Sequence, residues 1–203
     1  MSLHIDYYFA PQSPWTYLGH QRFADMARQA GAAVNVLPVD LGKVFPVSGG
    51  LPLPKRAPQR QAYRLVELKR FSEWLKLPLH PQPKHFPVSG DAAARLILAA
   101  GRQHGTEAAM RLAGRLMAAV WAEQLDINDL ATRHELLERC ELPLTLEAAA
   151  QDAAVQARYE AATQKAIDAG IFGAPSFVIE GELFWGQDRL DFVERRLAQA
   201  RRS

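Results

Sequence analysis

At 203 residues, with 48% apolar side chains and a formal charge of +2, the chain is long enough to bury a full core, and its basic residues cluster only at Lys55-Arg56 and Arg201-Arg202, which excludes a nucleic-acid track. No apolar run reaches the length of a bilayer-crossing helix, and Met1-Ser2-Leu3-His4-Ile5-Asp6 lacks the charged start and apolar centre of an export signal, so the expected setting is the cytoplasm with no membrane contact. A single cysteine, Cys140, excludes an internal disulfide, a Cys-x-x-Cys redox pair and a thiolate metal cluster; within Leu136-Leu137-Glu138-Arg139-Cys140-Glu141-Leu142 it reads as a packing residue at the end of an amphipathic helix.

Residues 3–9 and 33–39 are rich in β-formers. Between them Leu18, Phe23, Met26, Ala27 and Ala30 fall near one face of a helix that Gly31 closes, which makes a βαβ unit. Ser13 stands where the first strand yields to this helix and is followed by Pro14. That pattern fits an N-cap, the serine oxygen accepting from an orphan N–H and the proline taking the first helical position. A functional reading stands beside it: such a helix start gathers N–H dipoles and a hydroxyl able to hold an anion such as a thiolate.

From residue 41 to residue 60, Pro46, Pro52, Pro54, Pro58 and the Gly49-Gly50 pair predict a long loop, of a kind that often carries function. Helices are predicted at about 60–76, 91–104, 106–123, 129–141, 146–152 and 154–169, with Asp91 and Thr106 as N-caps and Gly105 and Gly170 as stops. The chain then returns to β: Ser176-Phe177-Val178-Ile179 and Glu182-Leu183-Phe184-Trp185 flank a tight turn at Glu180-Gly181. A last helix follows Asp188, whose carboxylate suits its cap, with Asp191 in the first turn.

The order β-α-β, helical block, β-β-α is that of an α/β, thioredoxin-like fold carrying an all-helical insertion. It divides the chain into a thioredoxin-like domain, 1–40 with 170–203, and a proline-rich loop with a helical subdomain, 41–169. In that fold a proline opens the third strand, as Pro175 does in Gly170-Ile171-Phe172-Gly173-Ala174-Pro175-Ser176-Phe177-Val178. A cis bond at Ala174-Pro175 turns the Ala174 N–H and C=O toward the first helix, where an extended peptide can pair; a trans proline merely begins a strand.

Three stretches, Ser13-Pro14-Trp15-Thr16-Tyr17-Leu18, residues 170–177 and Phe184-Trp185-Gly186-Gln187-Asp188-Arg189-Leu190, together resemble the 2-hydroxychromene-2-carboxylate isomerase family, allied to kappa-class glutathione transferases. Phe86-Pro87-Val88-Ser89, Ala119-Val120-Trp121-Ala122-Glu123 and Asp126-Ile127 carry the likeness through the middle of the chain. The resemblance implies a dimeric, glutathione-binding thioredoxin fold in which serine replaces the redox cysteines. It implies that Ser13 donates to the glutathione sulfur beside Pro14 and Trp15, that the Ala174 backbone ahead of Pro175 pairs with the cysteinyl part, and that Gln187 and Asp188 hold the γ-glutamyl end. A free thiol, with a pKa of about 8.5, gains thiolate fraction from such donors. Asp188 is equally placed as a plain N-cap.

Two departures bear on the substrate. Ser48-Gly49-Gly50 stands where relatives tend to have Thr-Gly-Asn, and Arg60 where they tend to have lysine ahead of the tyrosine matching Tyr63. Arg60 either clamps a substrate carboxylate by two parallel bonds or is a solvated helix-start residue. Trp15, Phe45 and Trp121 offer an apolar wall for an aromatic ring, or plain core. The expected activity is glutathione-dependent isomerisation of a small aromatic hydroxy-acid, with Ser13 and Arg60 as catalytic candidates, no metal, and a homodimer as the working form. A kappa-type transferase or peroxidase and a non-catalytic peptide-binding module are the rivals.

Overall fold

The computed structural model describes residues 3–200; Met1, Ser2 and the Arg201-Arg202 cluster lie outside them. Strands β1 (His4–Phe9), β2 (Ala33–Pro38), β3 (Ser176–Ile179) and β4 (Glu182–Trp185) form one sheet in the order β2-β1-β3-β4. β1 runs parallel to β2, with Ile5 opposite Val34, and antiparallel to β3, with Tyr8 opposite Ser176. The parallel pair needs a crossover, supplied by helix α1 (Pro14–Ala30), which ends in a left-handed Gly31 at φ 62°. Glu180 and Gly181 turn the β3-β4 hairpin with φ of 49° and 84°, as a type I′ turn demands. Glu180 is an unusual residue there, and its carboxylate is held by Arg196.

Between β2 and β3 the chain is helical: α2 (Leu41–Ser48), α3 (Pro58–Leu75), α4 (Asp91–Trp121), α5 (Leu130–Arg139), α6 (Leu146–Ala149) and α7 (Ala153–Asp168). A 3-10 turn, Gln187–Arg189, leads into α8 (Leu190–Ala200). The expected loop after β2 is therefore partly helix. Asp40 caps α2 by accepting from the Gly42 N–H at 2.7 Å, Val44 is buried, and Pro46 removes only one backbone donor from so short a helix. A further 3-10 turn forms at Leu53–Lys55, and α3 starts at Pro58, two residues before the expected boundary, since proline suits that position.

Other capping expectations change. Asp91 is the first residue of α4, not its cap; the Ser89 hydroxyl accepts from the Asp91 N–H at 3.2 Å, and the Asp91 carboxylate accepts from the Tyr159 hydroxyl at 3.0 Å. Gly105, at φ 84° and ψ 173°, is non-helical and kinks Asp91–Trp121 into two helical stretches, the break expected at that residue. Cys140 closes α5 and is buried, which pushes its thiol pKa up, in keeping with a packing role.

The main core joins the sheet to the helices. The Tyr7 ring stacks on Phe177 at 5.4 Å and 3°, and meets Phe9 and Phe23 at 4.6 Å. Its hydroxyl lies 3.1 Å from His20 Nδ1, while His20 Nε2 lies 2.9 Å from the Met110 carbonyl. A carbonyl only accepts, so Nε2 carries the proton and Nδ1 accepts from Tyr7. Burial drives the His20 pKa down to about 4. Among the described residues no helix is long and apolar enough to cross a membrane, and no group of three or more His, Cys, Asp or Glu is set to hold a metal ion.

His20 binds its proton far more readily in the unfolded chain, with its ordinary pKa of about 6.5, than in the fold. Stability is therefore full above that value and falls as pH drops toward 4, by up to about 3 kcal/mol from this group. Urea unfolding across that window should show the decline in the wild type and a flatter profile in His20→Gln; equal slopes would refute the assignment.

Candidate functional site

The pairing of Tyr8 with Ser176 places the segment leaving β1 beside the segment entering β3. On the first side, Ser13 is the N-cap of α1, with φ −82° and ψ 125°, and its Oγ accepts from the Thr16 N–H at 3.3 Å. The hydroxyl proton keeps no acceptor among the described residues. Pro14 has no N–H, and the Trp15 N–H takes no backbone partner, so the helix opens with a free donor beside the hydroxyl. No acidic residue occupies the first turn. The positive end of the macrodipole is thus left uncompensated, and a thiolate or carboxylate placed there is stabilised.

On the second side, the Ala174-Pro175 bond is cis. The Ala174 N–H and C=O take no partner among the described residues, although Ala174 is only 9% exposed. The Pro175 carbonyl accepts from the Gly186 N–H at 2.9 Å, tying the residues after β4 to this edge. Gln187 and Asp188 then open a helical turn with backbone N–H groups that have no backbone acceptor. Asp188 is not the expected cap, because the turn begins one residue earlier; its carboxylate pairs with Arg189 at 2.7 Å and stays exposed. The Gln187 side chain packs on α1, where a Cβ at Gly19 would come within 2.7 Å of it, and Oε1 accepts from Arg22 at 3.4 Å. The Gln187 backbone N–H and the buried side-chain Nε2 are both left without a partner among the described residues. Phe172 and Trp185, rings 4.8 Å apart, form an exposed aromatic ledge at the same edge.

The remaining candidates lie on the helical side. Trp15 is half-buried and meets Phe71 of α3 edge-on at 6.0 Å. Arg60 is exposed on the first turn of α3. One turn on, Arg64 was not anticipated: it is buried, with its guanidinium over the rings of Phe86 (5.4 Å) and Trp121 (5.6 Å). The signal for it was the stripe Arg64, Leu68, Phe71, Leu75, which places an arginine on the apolar face of α3. Gln12 was also missed; its side chain rests on Gly90 and its Oε1 is buried without a partner.

Phe45 explains the Gly50 departure. A Cβ at residue 50 would stand 2.4 Å from the Phe45 ring, so aromatic ring occupies the space an asparagine needs. Gly50→Asn is expected to lower stability by about 1–3 kcal/mol in urea unfolding, and Phe45→Ala is expected to remove that cost in the double variant. A Gly50→Asn protein as stable as the parent would contradict this.

A family model described as a DSBA-like thioredoxin domain matches residues 4–198. A 2-hydroxychromene-2-carboxylate isomerase from Sphingobium xenophagum is 28% identical over 203 residues, spanning 97% of this chain and 99% of that protein. Glutathione S-transferase kappa 1 from Caenorhabditis elegans is 25% identical over 209 residues, spanning 96% of this chain and 91% of that protein. A solved structure of a selenomethionine 2-hydroxychromene-2-carboxylate isomerase aligns with a TM-score of 0.82 at 25% identity, covering 98% of this chain and 96% of that one. The likeness seen in the motifs thus runs the length of the molecule. With the family match extending from β1 into α8, the chain belongs to the DSBA-like thioredoxin-domain family.

Proposed function

We propose that this protein is a glutathione-dependent isomerase acting between 2-hydroxychromene-2-carboxylate and trans-o-hydroxybenzylidenepyruvate, or close aromatic relatives, as a cytoplasmic homodimer. The observation that carries the reading is the start of α1, a helix N-terminus with no first-turn acid and a serine hydroxyl where a thioredoxin-type oxidoreductase needs cysteine. Disulfide exchange requires an accessible thiolate, and the single cysteine, Cys140, is buried elsewhere. A site so charged and so lacking in sulfur suits a thiol brought by a ligand. The names of full-length relatives, an isomerase and a glutathione transferase, support that choice.

The residues present fit glutathione. The unpaired Ala174 N–H and C=O suit the main chain of its cysteinyl unit, laid antiparallel as an added strand. The open N–H groups of Gln187 and Asp188 suit the γ-glutamyl carboxylate, and the exposed Asp188 carboxylate suits its ammonium. When bound, glutathione would supply a thiolate that adds reversibly to a conjugated carbon, freeing the former double bond to turn, and is recovered unchanged. Ser13 donates its hydroxyl proton as a hydrogen bond to the sulfur, in concert with the Trp15 N–H and the helix dipole, which favours the anion both before addition and on departure. Arg60, at the exposed start of α3, draws the substrate's carboxylate toward the site.

Incubation with glutathione and a hydroxybenzylidenepyruvate, followed by absorbance and by total free thiol, separates the alternatives. Conversion with thiol unchanged is expected; loss of thiol would mean transfer instead, and no change in either would mean no catalysis on this substrate. Ser13→Ala should lower turnover about ten- to hundredfold and reduce the ultraviolet thiolate absorbance of the bound tripeptide. Parental turnover in that variant would remove Ser13 from the mechanism.

A further inference from the structure

We infer that Arg64 recognises the substrate's carboxylate: its guanidinium, buried against Phe86 and Trp121 and lacking any anion in the fold, takes the carboxylate of a planar, aryl-conjugated acid. The choice of acid rests on the isomerase reading; the existence of an anion site does not.

Arg64 is 9% exposed, yet among the described residues it makes no hydrogen bond and no ion pair, only the two ring contacts. Arg133 shows how this fold treats an arginine that is purely structural. At 7% exposure, it binds Glu147 through Nε and Nη2 at 2.8 and 3.1 Å and the Ile127 and Asn128 carbonyls through Nη1. A buried charge without a partner is costly, and ring faces offset only part of that cost. Burial and the neighbouring Arg56 push the Arg64 pKa down to about 10, so the group stays cationic at neutral pH. Arg56 adds positive charge nearby, Arg60 stands one helical turn before Arg64 on α3, and no carboxylate pairs with Arg64 among the described residues. The Trp121 indole N–H, in the same cluster, also has no acceptor.

The position is right for a substrate. Arg64 shares its face of α3 with Phe71, whose ring meets Trp15, two residues beyond Ser13. The segment carrying Phe86 leads to Gly90, on which Gln12, the residue before Ser13, rests. Anion-binding guanidinium, flat apolar surface and helix start are thereby brought to one flank of the molecule. A planar guanidinium fork holds a carboxylate by two parallel bonds, which an ammonium does not. The exposed Arg60 then attracts the acid, and Arg64 holds it.

Binding of cinnamate and of its uncharged amide, cinnamamide, followed by tryptophan fluorescence, tests this without turnover. The wild type should prefer the acid about ten- to hundredfold. Arg64→Gln should lose that preference, Arg64→Lys should keep part of it, and Arg60→Gln most of it. Equal affinity of the wild type for acid and amide, or an Arg64→Gln protein that still prefers the acid, overturns the inference. If Arg64→Gln does not fold, the wild-type comparison and Arg64→Lys decide. In the isomerase assay Arg64→Gln should raise KM for the hydroxybenzylidenepyruvate while glutathione affinity stays as in the parent. A wild type without isomerase activity that nonetheless prefers cinnamate would sink the proposed reaction and leave the anion site standing.

Discussion

The antiparallel register of β1 with β3 is the constraint on which the site depends. It sets Tyr8 opposite Ser176, and so brings the last residues before α1 alongside the peptide that opens β3. A slip of one residue would turn Tyr7 and Phe177 out of the core, so the buried stack of those rings holds the register. What the register delivers is a concentration of unpaired backbone groups: the Trp15 N–H, both polar groups of Ala174 and the first N–H groups of the turn at Gln187. Native folds pair nearly all such groups when they are buried. Left unpaired near the start of α1, these are the groups on which the proposed tripeptide site rests.

Much of this was legible in the sequence because the signals are local. The Ser-Pro start and Gly31 stop delimit α1, runs of β-formers mark β1 to β4, and Glu180-Gly181 marks the hairpin. Where reading failed, a tertiary contact outweighed a local rule. Pro46 argued against helix, but the Asp40 cap and the burial of Val44 outweigh the loss of one donor in α2. Asp188 looked like a cap, and the helical turn starting at Gln187 took it inside instead. Arg64 escaped notice because a charge reads as solvated face; only its place on the buried stripe of α3 argued otherwise, and no local rule says that a guanidinium will rest on rings from residues 86 and 121.

Replacing cysteine with serine at the helix start removes redox chemistry while leaving the electrostatics in place. The free N–H, the dipole and the absence of a first-turn acid act on whatever anion occupies the position, whether it is covalently part of the chain or not. A serine hydroxyl adds one donor and cannot form a disulfide. On the proposed reading the scaffold would act on a borrowed thiolate, and a thiol that enters and leaves intact is suited to addition and elimination more than to electron transfer.

On the proposed reading, recognition of the tripeptide and recognition of the substrate would fall to different parts of the chain. The Gln187 side chain packs on α1 beside Gly19 and binds Arg22 through Oε1, leaving its buried Nε2 without a partner, and Ala174 has almost no side chain to offer. What these positions would present to the proposed tripeptide is chiefly backbone, which reads an extended main chain and little else. Discrimination among aromatic acids would require side chains of definite shape and charge, and the proposed ones stand on the helical side, at Trp15, Arg60, Arg64 and Phe45. The departures at residues 50 and 60 fall in that second group. On the proposed reading, change there would retune the substrate while the strand register, and the thiol site proposed beside it, is left alone.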